Sequence, residues 1–206
     1  DRIRREGLRS MFLSAGIKPG KVDAGTIGFV IGPRLNAAGR LESALDAYEL
    51  MTTSDIYRAG YLAQQLEVQN RERQALTRET HLRARELALA RDPEARLLFA
   101  AHADFRHGIV GLAASRLTEE FYRPSIVARI EDDTVRASCR SIKEFHITNA
   151  LDECQDLLIK HGGHAAAAGF TVASKDLAEL EARLRAIVAR ELDGLDLRPT
   201  VNIDAE

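Results

Sequence analysis

The chain has 206 residues, 45% of them hydrophobic and 29% charged, with a net charge of −2 and two cysteines. This is the make-up of an ordinary globular protein, long enough for one large domain or two small ones. It excludes a uniformly basic nucleic-acid binder, though not a local basic groove, and it excludes a disulfide framework or zinc site, because Cys139 and Cys154 are too few and too far apart.

In chain order, "RIRREGLRSMFLSAGI" places Leu8, Met11, Phe12 and Ala15 at helical spacing, and "KPGKVDAG" reads as a loop. To about Thr53 the pattern is one of short helices joined by glycine and proline. From Ser54 to Arg91 runs one long charged segment rich in alanine and leucine, capped by Ser54 or Asp55 and stopped by Asp92-Pro93. As a helix it spans roughly 50 Å at 1.5 Å per residue. Ile56, Ala59, Leu62, Ala63 and Leu66 give it an early apolar face, and "QNRERQALTRETHLRARE" is polar nearly all round, which suits a connector between domains. Sustained heptads, which a coiled coil needs, are missing.

Beyond Pro93, strands and helices alternate. "RLLFAA", "SIVARI", "TVRASCR" and "GFTVA" read as strands, with "EDD" a hairpin turn between the second and third. "IVGLAASRLTEEF", "ITNALDECQDLLIK" and "DLAELEARLRAIVARELD" read as helices, the last with Leu177, Leu180, Leu184, Ile187 and Val188 on one side. "TVNIDAE" reads as a final extended piece. The fold class is therefore α/β with a mixed sheet.

No paired carboxylates, nucleophile elbow, dinucleotide-binding glycine motif or metal-spaced His/Asp cluster is present. Three weaker signals share the α/β part. In "ASCRS", period two puts Ser138 and Arg140 on one face of a strand end, where a hydroxyl and a guanidinium can grip a phosphate; the alternative is a solvated edge strand. In "IKHGGHAAAAGFTV", Gly162 and Gly163 either end a helix or offer N–H groups to an anion, beside the His164 imidazole. "HGIVG", from His107 to Gly111, opens a helix, an end suited to anions. Together they suggest a phosphate-recognition cleft at the strand and helix ends, where α/β folds place their sites.

"IGPRLNAAGRLESA", "HGIVGLAASRLTEEFYRPSIV", "ASCRS" and "GGHAAAAGFTV", in this order and spacing, resemble the single-stranded-DNA exonuclease branch of the DHH phosphoesterase superfamily. The resemblance runs nearly end to end. It implies a helical remnant of the DHH catalytic domain at 1–53, a connector helix at 54–92 and a DHH-associated substrate-binding domain at 93–206. It also implies a metal-dependent 5′-3′ exonuclease acting in DNA repair and recombination, using Mn2+ or Mg2+ held by a DHH triplet and a DxD-type motif that this sequence lacks. The 206 residues are thus expected to be a C-terminal fragment, inactive by itself. By the same resemblance Ser138, Arg140 and Ser141 hold the 5′-terminal phosphate. Gly162, Gly163 and His164 face the metal site, His164 contacting the scissile phosphate as the catalytic residue. Arg34, Asn36 and Arg40, in a loop at the domain junction, position DNA or the connector. The implied partner is single-stranded DNA, with repair proteins such as a helicase or single-strand-binding protein. A cytoplasmic monomer with no membrane association is expected, since no apolar run approaches the roughly 20 residues of a membrane span and no signal peptide is evident. The alternatives are a phosphodiesterase for short oligoribonucleotides or cyclic dinucleotides, and a non-catalytic nucleic-acid-binding module.

Overall fold

In the computed structural model the described residues are 4–18, 20, 22–90 and 92–199. The chain divides into two compact units, Asp1–Leu76 and Thr77–Glu206. The expected extended piece "TVNIDAE" lies outside the described residues.

The first unit is helical. α1 (Glu6–Ser14), a π-helical turn over Thr26–Ile31, α2 (Gly32–Leu41), α3 (Leu45–Thr52) and the start of α4 (Ile56–Leu89) close around Met11, Phe12, Ile31, Ala38, Leu50, Leu62 and Leu66. The cap of α4 is Asp55, whose carboxylate accepts from the backbone N–H groups of Tyr57 and Arg58 at 2.8 and 3.2 Å. "GPRLNAAGR", expected as a loop, is the body of α2. Pro33 stands in its first turn, where a missing N–H costs nothing, and Ala37 and Ala38 bury their methyl groups.

The second unit holds β1 (Leu98–His102), α5 (His107–Phe121), β2 (Ser125–Ile130), β3 (Thr134–Arg140), α6 (Ile147–Asp152), β4 (Leu158–His164), β5 (Ala167–Ala173) and α7 (Leu177–Glu191). The strands form one mixed sheet in the order β1-β2-β3-β5-β4. β1 and β2 are parallel, with α5 as their crossover, and the remaining pairs are antiparallel. On one face α6 and α7 pack over Ile126, Val135, Cys139, Phe170 and Val172. On the other face α5 packs over Leu98, Ala100 and Val127, joined by Ala84 and Ala88 of α4. Both cysteines are free and buried, and burial pushes the Cys139 thiol up to about 12.

One alternative falls here and one expectation changes. "TVRASCR" is not an edge strand: β3 lies at the centre of the sheet, between β2 and β5. The helix expected over "ITNALDECQDLLIK" stops at Asp152, and after a 3₁₀ turn the chain runs on as β4. Pairing with β5 satisfies the backbone of this glycine-containing segment in a way that helix propensity could not foresee. Gly162 and Gly163 therefore do not cap a helix. They sit in a hairpin strand.

Candidate functional site

Strand alternation sorts the side chains of the sheet. Val135 and Cys139 point into the core beneath α6 and α7, so Arg136, Ser138 and Arg140 stand on the opposite face. Across β5 these three pair with Thr171, Gly169 and Ala167, and those in turn pair with Lys160, Gly162 and His164 of β4. Residues directly opposed in a ladder share a face. Three rungs result: Arg136–Thr171–Lys160, Ser138–Gly169–Gly162 and Arg140–Ala167–His164. Ser138, Arg140, Gly162 and His164 thus meet on one side of the sheet, the backbones of Arg140 and His164 about 10 Å apart at two strand spacings.

Arg140 is held before any ligand arrives. Its Nε donates to Ser115 Oγ at 3.1 Å, and its Nη1 donates to Ser138 Oγ at 3.2 Å and to the Cys139 carbonyl at 2.8 Å. These contacts fix the guanidinium plane. α5 supplies the wall of the site, and Gly111 stands close against it. A Cβ there would lie 3.0 Å from Ser138 Oγ and 3.1 Å from Arg140 Nη2.

Where α5 leaves the sheet uncovered there is an open cleft of about 690 Å³, lined by His107 and Val110 from α5 and by Arg136, Ser138, Lys160, Gly162, Gly169 and Thr171 from the strands. Arg140 and His164 stand one rung beyond. Glu131, in the turn between β2 and β3, bonds His107 Nε2 at 2.8 Å and lies 3.7 Å from both Arg129 and Arg136. The His107 hydrogen bond, reinforced by the two arginines, holds its carboxyl below the usual carboxylate range.

The other residues read from the sequence divide in two. Ser141 and Gly163 support the β4–β5 hairpin. The Ser141 hydroxyl donates to the Phe145 carbonyl at 2.7 Å and its N–H donates to the Ala166 carbonyl at 2.9 Å. Gly163 has φ +154°, and a Cβ on it would fall 2.4 Å from the Ala167 carbonyl oxygen. His164 is exposed, its carbonyl accepting from Thr148 Oγ1 at 2.9 Å, whereas His161 bonds Asp152 at 2.7 Å. Arg34, Asn36 and Arg40 lie in the first unit. Arg34 is largely buried, with Nε 2.6 Å from Glu67 and Nη1 donating to the Val30 carbonyl. Asn36 and Arg40 are exposed one turn apart on α2, beside a shallow hollow of about 300 Å³. Sequence reasoning missed Arg136, Lys160 and Glu131. Extending the alternation of Ser138 and Arg140 back by two residues, and that of Gly162 and His164 likewise, would have found the two cations.

Among the described residues no three His, Cys, Asp or Glu side chains gather as a metal site would require. A two-metal centre does not fit the described residues. No helix among the described residues is long and apolar enough to cross a membrane.

Residues 94–190 match the DHHA1 domain. That match takes in the sheet and the cleft just described. The whole chain is similar to the single-stranded-DNA-specific exonuclease RecJ of Bacillus subtilis, 35% identical over 98% of this chain and 26% of that protein. Its fold matches crystal structures of RecJ from Thermus thermophilus. The Mg2+ complex gives a TM-score of 0.82 at 31% identity, covering 91% of this chain and 29% of that one. The Mn2+ complex gives 0.81 at 32%, covering 91% and 27%. The chain spans 26% and 37% of the length of the first two curated relatives it matches. The resemblance carried by "GPRLNAAGR", "SCRS" and "GGHAAAAG" thus extends along nearly all of the sequence and to the fold of its sheet.

Proposed function

We propose that this chain is the strand-end-binding part of a single-stranded-DNA-specific 5′-3′ exonuclease. The observation that supports the reading best is the three-rung face, where Ser138, Arg140, Gly162 and His164 converge and Arg140 is pre-oriented by Ser115, Ser138 and the Cys139 carbonyl. A terminal phosphate laid on this face takes charge-assisted hydrogen bonds from Arg140 and a hydroxyl contact from Ser138. His164, across the rung from Arg140, donates to the next phosphate into the strand, the one to be cleaved. Ser141 and Gly163 shape the hairpin that presents His164. Holding the terminal phosphate fixes register, so that cleavage proceeds from that end.

In this reading residues 1–53 belong with the catalytic domain of a larger enzyme, 54–92 connect, and 93–206 bind the strand end. Asn36 and Arg40 add a DNA contact on α2, with Arg34 bracing that helix through Glu67. The RecJ structures are complexes with Mg2+ or Mn2+. We assign the corresponding ligands to residues beyond these 206, so the chain by itself binds and does not cleave. The enzyme acts as a monomer in the cytoplasm on strands exposed during repair and recombination, alongside a helicase or a single-strand-binding protein.

The test is Arg140→Ala in the larger enzyme, assayed on the same oligonucleotide with a 5′-phosphate or a 5′-hydroxyl. The expected outcome is a loss of roughly tenfold or more confined to the phosphorylated strand, as for removal of a hydrogen bond to a charged group. Equal loss on both strands would overturn the reading.

A further inference from the structure

Most of the cleft lies to one side of the residues assigned to the terminal phosphate, and that side is basic. One rung from Ser138 and Gly162, on the side away from His164, stand Arg136 and Lys160 with only Thr171 between them. His107 reaches the same space from α5. Among the described residues Lys160 has no ion-pair partner, and Arg136 meets Glu131 only at 3.7 Å. Successive rungs are about 7 Å apart, two residues at roughly 3.4 Å each. Arg140 and His164 share one rung, and the Arg136–Lys160 rung lies on the other side of Ser138 from both. A monophosphate leaves this volume and these charges unused.

We propose that the cleft recognises a 5′-triphosphorylated strand end. The first phosphate sits at Ser138 and Arg140, and the outer phosphates reach Arg136, Lys160 and His107. The proposal rests on the assignment of Ser138 and Arg140 to the first phosphate and adds the chemistry of what that phosphate carries. Glu131 gives it a second physical support. Its carboxylate already bonds the His107 ring and attracts Arg136, so it occupies the place of an anion that the outer phosphates would displace.

The experiment measures binding of one thymidine oligonucleotide carrying a 5′-triphosphate, a 5′-monophosphate or a 5′-hydroxyl to the 206-residue chain, by fluorescence anisotropy at fixed salt. The triphosphate end is expected to bind roughly fivefold tighter than the monophosphate end, the upper range for exposed charge pairs. The double variant Arg136→Ala/Lys160→Ala brings that ratio close to one. The double variant Arg183→Ala/Arg190→Ala, with the same loss of charge on α7 at the opposite face, leaves the ratio as in the native chain. A native ratio of one overturns the inference, as does an equal fall in both variants, which would reveal mere net charge. Should monophosphate and hydroxyl ends bind alike, the terminal-phosphate reading itself fails and takes this inference with it. Circular dichroism confirms that each variant is folded.

Discussion

At Gly111 two demands on one position pull in opposite directions. It lies inside α5, where glycine costs about 1 kcal/mol relative to alanine. Yet a methyl group there would stand 3.0 Å from the Ser138 hydroxyl and 3.1 Å from the Arg140 guanidinium. Both neighbours are ends of side chains, so they move aside by a few tenths of an ångström instead of breaking the fold. Gly111→Ala is therefore expected to keep or raise the melting temperature while weakening binding of a 5′-phosphorylated oligonucleotide several-fold. Thermal unfolding and anisotropy on the same sample separate the two effects. Unchanged binding would mean that the serine and arginine tolerate the displacement and that their positions are not set by α5. Gly163 differs, since its missing Cβ faces backbone atoms of β5 that cannot yield.

Among the elements, the β2–β3 hairpin carries the pH response. The Glu131 carboxyl is held below its ordinary range in the fold by the His107 hydrogen bond and the flanking arginines. A group with a depressed folded pKa stabilises above its unfolded value and loses that contribution as the pH falls through the folded one. The native chain should then be more stable than Glu131→Gln near neutrality, with the difference fading as the pH falls through and below the ordinary carboxylate range. Urea midpoints measured across that range check it. A margin that persists at the acid end would show that the hairpin is indifferent to the carboxylate's charge. The same hairpin shows what a sequence reveals well. β2 and β3 fall on "SIVARI" and "TVRASCR" because a proline and an acidic turn bound them and apolar residues fill the strands between. β4 gives no such signal. "LIKHGGH" lacks β-branched alternation and carries two glycines, and it becomes a strand because β5 offers it an unpaired edge. The site divides along the same line. Period two alone puts Ser138 beside Arg140, a local property. That Lys160, Gly162 and His164 share their face depends on the register of β4 against β5, and register is a long-range property absent from any short window of sequence.

Over the whole molecule the net charge is −2, and a chain with that balance has no general attraction for a polyanion. The proposed binding of a strand end therefore rests on segregation of charge. The carboxylates of α7 are occupied by arginines of their own helix, Glu179 by Arg183 and Glu181 by Arg185, while the cleft face sets Arg136, Arg140 and Lys160 within two rungs of one another. Each cation that meets a single-stranded phosphate releases about 0.7 counterion, so three such cations give a slope of about −2 in a plot of log affinity against log salt. Isotherms for a 5′-triphosphorylated single strand between roughly 50 and 200 mM salt read that slope directly. A slope near zero would mean that bases and sugars, not phosphates, are what this face holds. A slope of about −4 would require twice as many cations as the cleft supplies and would place binding on another surface. Arg140→Ala should flatten the native slope by about 0.7, because one phosphate then keeps its counterions in place of the guanidinium.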